Sequence, residues 1–232
     1  MFKRLSVIVL LPLVLLSKDY NIEFLYGFGY LEYGNKSNIV PKGYIQDIGI
    51  RATIFSNNFA NELVGRYTGF SNIKSQIGRY THSGWEAEYR FGYTMQEEMK
   101  YLDMIMGNAY VGVGYQQALQ SYSGSVVVGG QQSLQNDRRK MDFIYMPFGF
   151  WAEDKTDIKW LKIRSGINFK LMFFNKENNN AFKYYFNFGG KIYAGAGFVL
   201  SPFMDIFLQG YFIYNTPIDN IMQAGIETGI QF

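Results

Sequence analysis

The chain contains a single histidine, His82, and a serine, Ser83, follows it directly. A histidine base and a serine nucleophile are the parts of acyl-transfer chemistry, but they must lie within hydrogen-bond reach of each other. Neighbouring side chains of an extended strand point to opposite faces, so this pair is badly placed to act together. A serine from another strand would be needed, and no cluster of aspartates accompanies His82. Cysteine is absent, which removes thiolate nucleophiles, thiolate metal sites and disulfides. The turn-rich stretch Asn175 to Asn180 carries one acid, Glu177, and lacks calcium-loop spacing. The expectation is a protein that is not an enzyme, with no catalytic, cofactor or metal site and with His82 solvated at a rim.

Other charged groups recur through the chain at a regular parity. The acids are Glu23, Asp47, Glu62, Glu86, Glu88, Asp142, Asp205 and Glu227. The bases are Arg51, Arg66, Arg90, Lys140, Lys162, Arg164, Lys170 and Lys191. The chemistry open to such a set is mutual ion pairing, provided that the chain gathers it on one side of a wall.

The elements that position these groups show in the alternation. Ile22, Phe24, Tyr26, Phe28 and Tyr30 alternate with residues that include Glu23, Gly27 and Gly29. Trp85, Ala87, Tyr89, Phe91 and Tyr93 alternate with Glu86, Glu88, Arg90 and Gly92. Leu161, Ile163, Ile167, Phe169, Leu171 and Phe173 alternate with residues that include Lys162, Arg164 and Lys170. Period two gives each strand one apolar and one polar face. Aromatic residues make up 19% of the chain, more than a water-facing sheet has use for, and no helical segment is available to cover the apolar faces. Lipid is the simplest cover.

Ten such segments are predicted, at about 20–32, 43–55, 59–70, 83–95, 103–116, 139–151, 158–174, 186–200, 203–214 and 220–232. Each is close to the roughly 9–11 residues that cross a membrane as a tilted strand. The fold class is therefore all-β, an antiparallel up-and-down transmembrane β-barrel of about ten strands. An eight-strand reading follows if two weak segments merge. Met95 to Met106 has helical character, and Pro147 breaks the sixth ladder or marks a bulge. Short connections at Ser56 to Asn58, Glu153 to Thr156 and Ser201–Pro202 alternate with longer ones at Glu32 to Lys42, Ser71 to His82, Gln117 to Arg138 and Asn175 to Asn180. Bacterial barrels place short turns in the periplasm and long loops outside. The loop Gln117 to Arg138 is expected to form a small hairpin around Val126, Val127 and Val128.

Ahead of the strands, Lys3 and Arg4 precede an apolar stretch from Leu5 to Leu16, too short to span a bilayer. Residues 1–17 read as a signal peptide and 18–232 as the barrel domain. The net charge of +3 is modest and forms no basic stripe, so nucleic acid is not an expected partner.

In the last segment Met222, Ala224, Ile226, Thr228, Ile230 and Phe232 occupy one face, and Gln223, Gly225, Glu227, Gly229 and Gln231 the other. This pattern resembles the assembly signal of small Gram-negative outer-membrane barrel proteins and surface antigens, with Ile226, Ile230 and Phe232 in the recognised row. The resemblance covers nearly the whole chain through pattern rather than through residue-specific motifs. It implies residence in the cell outer membrane as a monomer, contact with outer-membrane lipid, and recognition of the last strand by the barrel insertion machinery. Basic residues in Asp137 to Lys140 are expected to meet anionic lipopolysaccharide.

With aromatic faces outward, the interior is expected to hold a charge network of Glu23, Asp47, Arg51, Glu62, Arg66, Glu86, Glu88, Arg90, Lys162, Arg164, Lys170, Lys191, Asp205 and Glu227. Balanced charge in a narrow lumen should pair. The functional expectation is a structural or surface-interaction barrel with a plugged lumen. The alternative is a narrow, non-selective porin-like channel, and a lipid- or peptide-directed outer-membrane enzyme is third.

Overall fold

A computed structural model describes residues 20–34, 41–74, 78–99, 102–128, 131–215 and 221–232. The expected leader at 1–17 lies outside the described residues. Ten antiparallel strands form a closed barrel: β1 (Tyr20–Tyr33), β2 (Lys42–Ser56), β3 (Phe59–Lys74), β4 (Gly78–Met99), β5 (Leu102–Val128), β6 (Gln131–Lys155), β7 (Leu161–Glu177), β8 (Lys183–Ser201), β9 (Met204–Asn215) and β10 (Ile221–Gln231). Each strand pairs with its sequence neighbours, and β1 closes against β10. Closure leaves the sheet without a long open edge. At the seam Phe232 exchanges both backbone hydrogen bonds with Ile22, at 2.9 and 3.0 Å, and its ring meets Phe24 edge-on.

The alternation read in the sequence becomes the two faces of the wall. Phe24, Tyr26, Phe28, Tyr89, Phe91, Val113, Ile192, Leu208 and Ile226 are exposed on the outside, while Glu23, Arg90, Gln209 and Glu227 are buried inside. The two-residue turn at Asn57 and Asn58 joins β2 to β3, with Asn57 in the left-handed region (φ 53°). A tight hairpin needs such a conformation, and asparagine accepts it.

Three expectations are corrected. The helical character at Met95 to Met106 is overruled by pairing: Met95 faces Gly107 and Glu97 faces Ile105 across a β4–β5 hairpin. The stretch Gln117 to Arg138 is for the most part strand rather than loop, because β5 and β6 stay in register from Gln117↔Asp142 up to Val128↔Gln131. On β7 a bulge lies between Met172 and Phe174, so Phe174 rather than Phe173 holds the outward place, edge-on to Tyr184. Pro147 interrupts pairing with β5 between Phe148 and Tyr145 but keeps its place opposite Lys170 on β7. A proline has no N–H to give to one of its two neighbours.

The strands are unequal. β5 has 27 residues and β10 has 11. At about 3.3 Å per residue β5 is far longer than the roughly 25 Å apolar band of a barrel needs, even when tilted. The surplus rises at the end opposite the two-residue turn, and there the interior also becomes apolar, while aromatic residues such as Tyr44, Phe174, Tyr184 and Phe186 stay exposed on the outside. Leu31, Tyr33, Ile45, Ile73, Ala118, Met141, Phe143, Tyr145, Met172 and Ile221 form a buried apolar cluster inside the barrel. On the outside at the same end stand Lys42, Lys74 and Arg79, all exposed. Burial of these side chains of the apolar cluster against one another inside the barrel stabilises that end.

Candidate functional site

The site is the barrel interior. Its small residues are set where large ones cross. A Cβ at Gly114 would lie 2.4 Å from the ring of Tyr145, and one at Gly229 would lie 2.5 Å from Phe207. Glycine therefore lets rings lie across the lumen against the wall, and Tyr145 and Phe207 are almost wholly buried there.

The charges form three groups, the second and third joined through Lys170. In the first, Lys162 Nζ reaches Glu153 Oε1 at 3.0 Å and Asp205 Oδ2 at 2.5 Å. Arg164 donates to Glu23 Oε1 at 2.6 Å, and Arg51 lies 3.4 Å from the other oxygen of Glu23. The Arg164 guanidinium also covers the Phe207 ring at 4.0 Å. In the second group Arg90 Nε donates to Glu88 at 2.6 Å, and Arg90 Nη1 meets Glu62 at 3.4 Å. Glu62 also accepts from Trp151 Nε1 at 2.6 Å and Asn108 Nδ2 at 2.9 Å, while Tyr145 donates to Glu88 at 2.7 Å. The third group centres on Glu227, which accepts from Arg66 at 2.7 Å, Lys191 at 2.9 Å and Gln209 at 2.6 Å. Arg66 also pairs with Asp47 at 3.4 Å, and Lys170 pairs with Glu86 and, at 3.8 Å, with Glu88.

Every residue named for the interior network is thus found inside and in an ion pair. Many of these contacts cross the lumen rather than run along the wall. Arg164 on β7 meets Glu23 on β1, nearly opposite in the ring of strands. Arg66 on β3 meets Glu227 on β10, and Lys170 on β7 meets Glu86 on β4. Acids beside bases offset much of the cost of burying either sign. Cation–π contacts of Arg90 with Tyr110 and Lys170 with Tyr145 set aromatic surface against the charges.

Glu153 was not anticipated, because it was assigned to a turn. It continues the inward row of Gly149 and Trp151 on β6, and that parity is the signal that finds it. Asp142 and Lys140 are corrected in the other direction. Asp142 pairs in register with Gln117, and Gln117 with the outward-facing Trp85, so both charges belong to the outer wall. There Asp142 accepts from Tyr115 at 2.7 Å and Gln117 at 2.9 Å, with Lys140 at 3.8 Å. A charge near a rim has water on either face and need not turn inward. Of the stretch Asp137 to Lys140, the Asp137 side chain lies outside the described residues. Arg138 is exposed, and Arg139 pairs with Glu177 at 2.6 Å.

His82 is buried rather than solvated at a rim. It faces inward because the lumen row of β4 continues through it beside the apolar cluster. Its Nδ1 lies 3.1 Å from the Tyr33 hydroxyl, and its backbone N–H donates to Ser71 Oγ at 2.6 Å. Ser83 takes the opposite parity. Among the described residues no group of three His, Asp or Glu side chains could hold a metal ion. Among the described residues, spaces remain within the barrel. One, of about 90 Å³, lies between the charges and the apolar cluster and is lined by Arg51, Arg66, Arg90, His82 and Lys191. Another, of about 480 Å³, opens at the short-turn end among Lys155, Lys162, Asp205, Phe203 and Phe232.

No protein-family model and no curated protein sequence matches the chain. Solved structures do. The outer membrane protease OmpT from Escherichia coli is similar over 94% of this chain and 97% of its own, with a TM-score of 0.56 and 8% identity. The transport unit of the autotransporter AIDA-I from Escherichia coli is similar over 94% of this chain and 92% of its own, with a TM-score of 0.48 and 9% identity. The translocator domain of autotransporter NalP from Neisseria meningitidis is similar over 92% and 87%, with a TM-score of 0.45 and 8% identity. The fold is that of outer-membrane β-barrels. At such low identity the likeness to OmpT carries the fold and none of the chemistry. The apolar wall around a charged interior agrees with it, and the protein is placed in the outer membrane. Ile226, Ile230 and Phe232 lie on that outer wall, each more than a third exposed.

Proposed function

We propose that this barrel serves as a closed structural scaffold that presents its tall β4–β6 wall at the cell surface, and that it neither conducts freely nor catalyses a reaction. One observation carries the reading: ion pairs such as Arg164–Glu23 and Arg66–Glu227 join strands that are not neighbours in the ring, across the interior of the barrel. The apolar cluster above them adds a second obstruction, since ions do not cross a dry apolar layer cheaply. A non-catalytic reading is supported by His82, whose described polar contacts are a tyrosine and a serine, with no carboxylate beside it. Liposomes carrying the refolded protein should retain potassium as well as protein-free ones do. Rapid leakage would favour the porin-like alternative.

The same reading puts the long-strand end outside the cell and the turn at Asn57 in the periplasm, as short periplasmic turns require. Cysteines introduced singly at Ser123 and Asn179 should react with an impermeant reagent on intact cells, and one at Asn57 should not. The reverse pattern would overturn the orientation while leaving the closed lumen untouched.

A further inference from the structure

The outer wall carries a row of three cations that, among the described residues, make no ion pair. Lys42 on β2 pairs in register with Lys74 on β3, and Lys74 with Arg79 on β4. All three point outward, because their neighbours Ile73 and Tyr80 belong to the interior apolar cluster while Tyr44, two residues from Lys42, is an exposed wall aromatic. Adjacent strands are about 4.8 Å apart, so three positive side chains rise within roughly 10 Å of one another. Like charges directly opposite each other destabilise a sheet. The flanking positions relieve this only in part: Glu32 faces Lys42 from β1, and the neutral Ser123 faces Arg79 from β5. Among the described residues none of the three cations makes an ion pair with a carboxylate.

The height of the row adds a second, independent pointer. Immediately below it on the same face, Tyr44 stacks on Phe28 at 5.5 Å and meets Tyr30 edge-on at 5.7 Å. Aromatic residues of this kind collect where the lipid tails give way to headgroups. The row lies at the height of the interior apolar cluster, since Ile73 directly precedes Lys74. It therefore faces sideways into the headgroup layer rather than upward into solvent.

We propose that Lys42, Lys74 and Arg79 form a binding site for the phosphorylated sugar headgroup of an outer-leaflet glycolipid. This rests on the outward orientation of the long-strand end, which the cysteine labelling tests separately. Two phosphates on a rigid sugar would bridge three cations and offset their repulsion, with the acyl chains lying against Tyr44 and Tyr30. A soluble sulfated glycan has the right charge but no reason to sit against the apolar wall.

The test uses the full chain refolded in zwitterionic micelles, with three probes: lipopolysaccharide, its dephosphorylated form, and heparin. The variant Lys42→Gln/Lys74→Gln/Arg79→Gln should bind lipopolysaccharide on the order of 100-fold more weakly than the native protein, at about fivefold per charge lost. Lys159→Gln, at the other end of the barrel, should bind as the native protein does. Without lipopolysaccharide the triple variant should unfold at the same or a higher temperature than the native protein, because the like-charge row is gone. If the triple variant fails to fold, Arg79→Gln alone should still weaken binding about fivefold. Equal binding by native and variant proteins, or equal binding of the dephosphorylated lipid, would overturn the site. Tighter binding of heparin than of lipopolysaccharide would overturn the lipid assignment in favour of a soluble polyanion.

Discussion

Replacing Glu227 by alanine is expected to destabilise the barrel by about 3–5 kcal/mol, the cost of leaving a buried charge network without its partner. Glu227 is the acceptor for Arg66, Lys191 and Gln209 at once, and its side chain is 1% exposed. Its loss strands two cations in a space with little access to water, and among the described residues only Asp47 and Glu86 remain in ion-pair range of Arg66. The effect also reaches the closure of the barrel, since Glu227 ties β10 to β3, β8 and β9. Glu227→Gln keeps the shape and one acceptor, and should fall between native and alanine. Urea unfolding in lipid vesicles reads all three proteins. A loss below about 1 kcal/mol for the alanine variant would mean that the contacts to Glu227 are not what holds the interior.

The second large effect belongs to the other face of the wall. Tyr89→Arg should cost about 2–4 kcal/mol if Tyr89 sits near the bilayer midplane, and less toward an interface. Tyr89 pairs with Leu63 on one side and Val113 on the other, and all three are exposed on the barrel exterior. An arginine there has no carboxylate within the surrounding apolar row. It also loses the hydrogen bond that Tyr89 gives to Asn61 at 2.7 Å. The adjacent Arg90 points inward to Glu88 and Glu62, so a charge is tolerated at one position and penalised at the next. Unchanged stability for Tyr89→Arg in the vesicle assay would contradict a lipid-facing wall.

That contrast between Tyr89 and Arg90 was legible in the sequence, because strand parity is local and lipid enforces it along every strand it touches. The number of strands and the residues of the interior network follow from the same parity. Which acid meets which base does not. Arg164 and Glu23 lie 141 positions apart, and only barrel closure with its register brings them together. The extension of β5 and β6 was hidden for a related reason. Gln117 to Arg138 mixes polar residues with apolar ones such as the run Val126, Val127 and Val128, so no alternation marks it as strand, and pairing along one long hairpin supplies the order instead. Asp142 shows an assumption overriding a visible signal: its even position places it with Ile144 on the outer wall, whereas its charge suggested the lumen. The interior apolar cluster was the least legible feature. Leu31 and Tyr33 continue the inward row of Glu23 and Leu25 without a break in parity. Nothing in β1 alone shows that the interior it faces changes there from charged to apolar.

Single-channel recording in a planar bilayer tests the closed lumen most directly. The native protein is expected to give no stable unitary conductance under moderate voltage. The variant Arg66→Ala/Lys170→Ala/Lys191→Ala, which removes three cations that cross to Glu227, Glu86 and Glu88, should give discrete or noisy openings. A native barrel that already shows a steady ohmic conductance, unchanged in that variant, would contradict a lumen closed by cross-wall ion pairs.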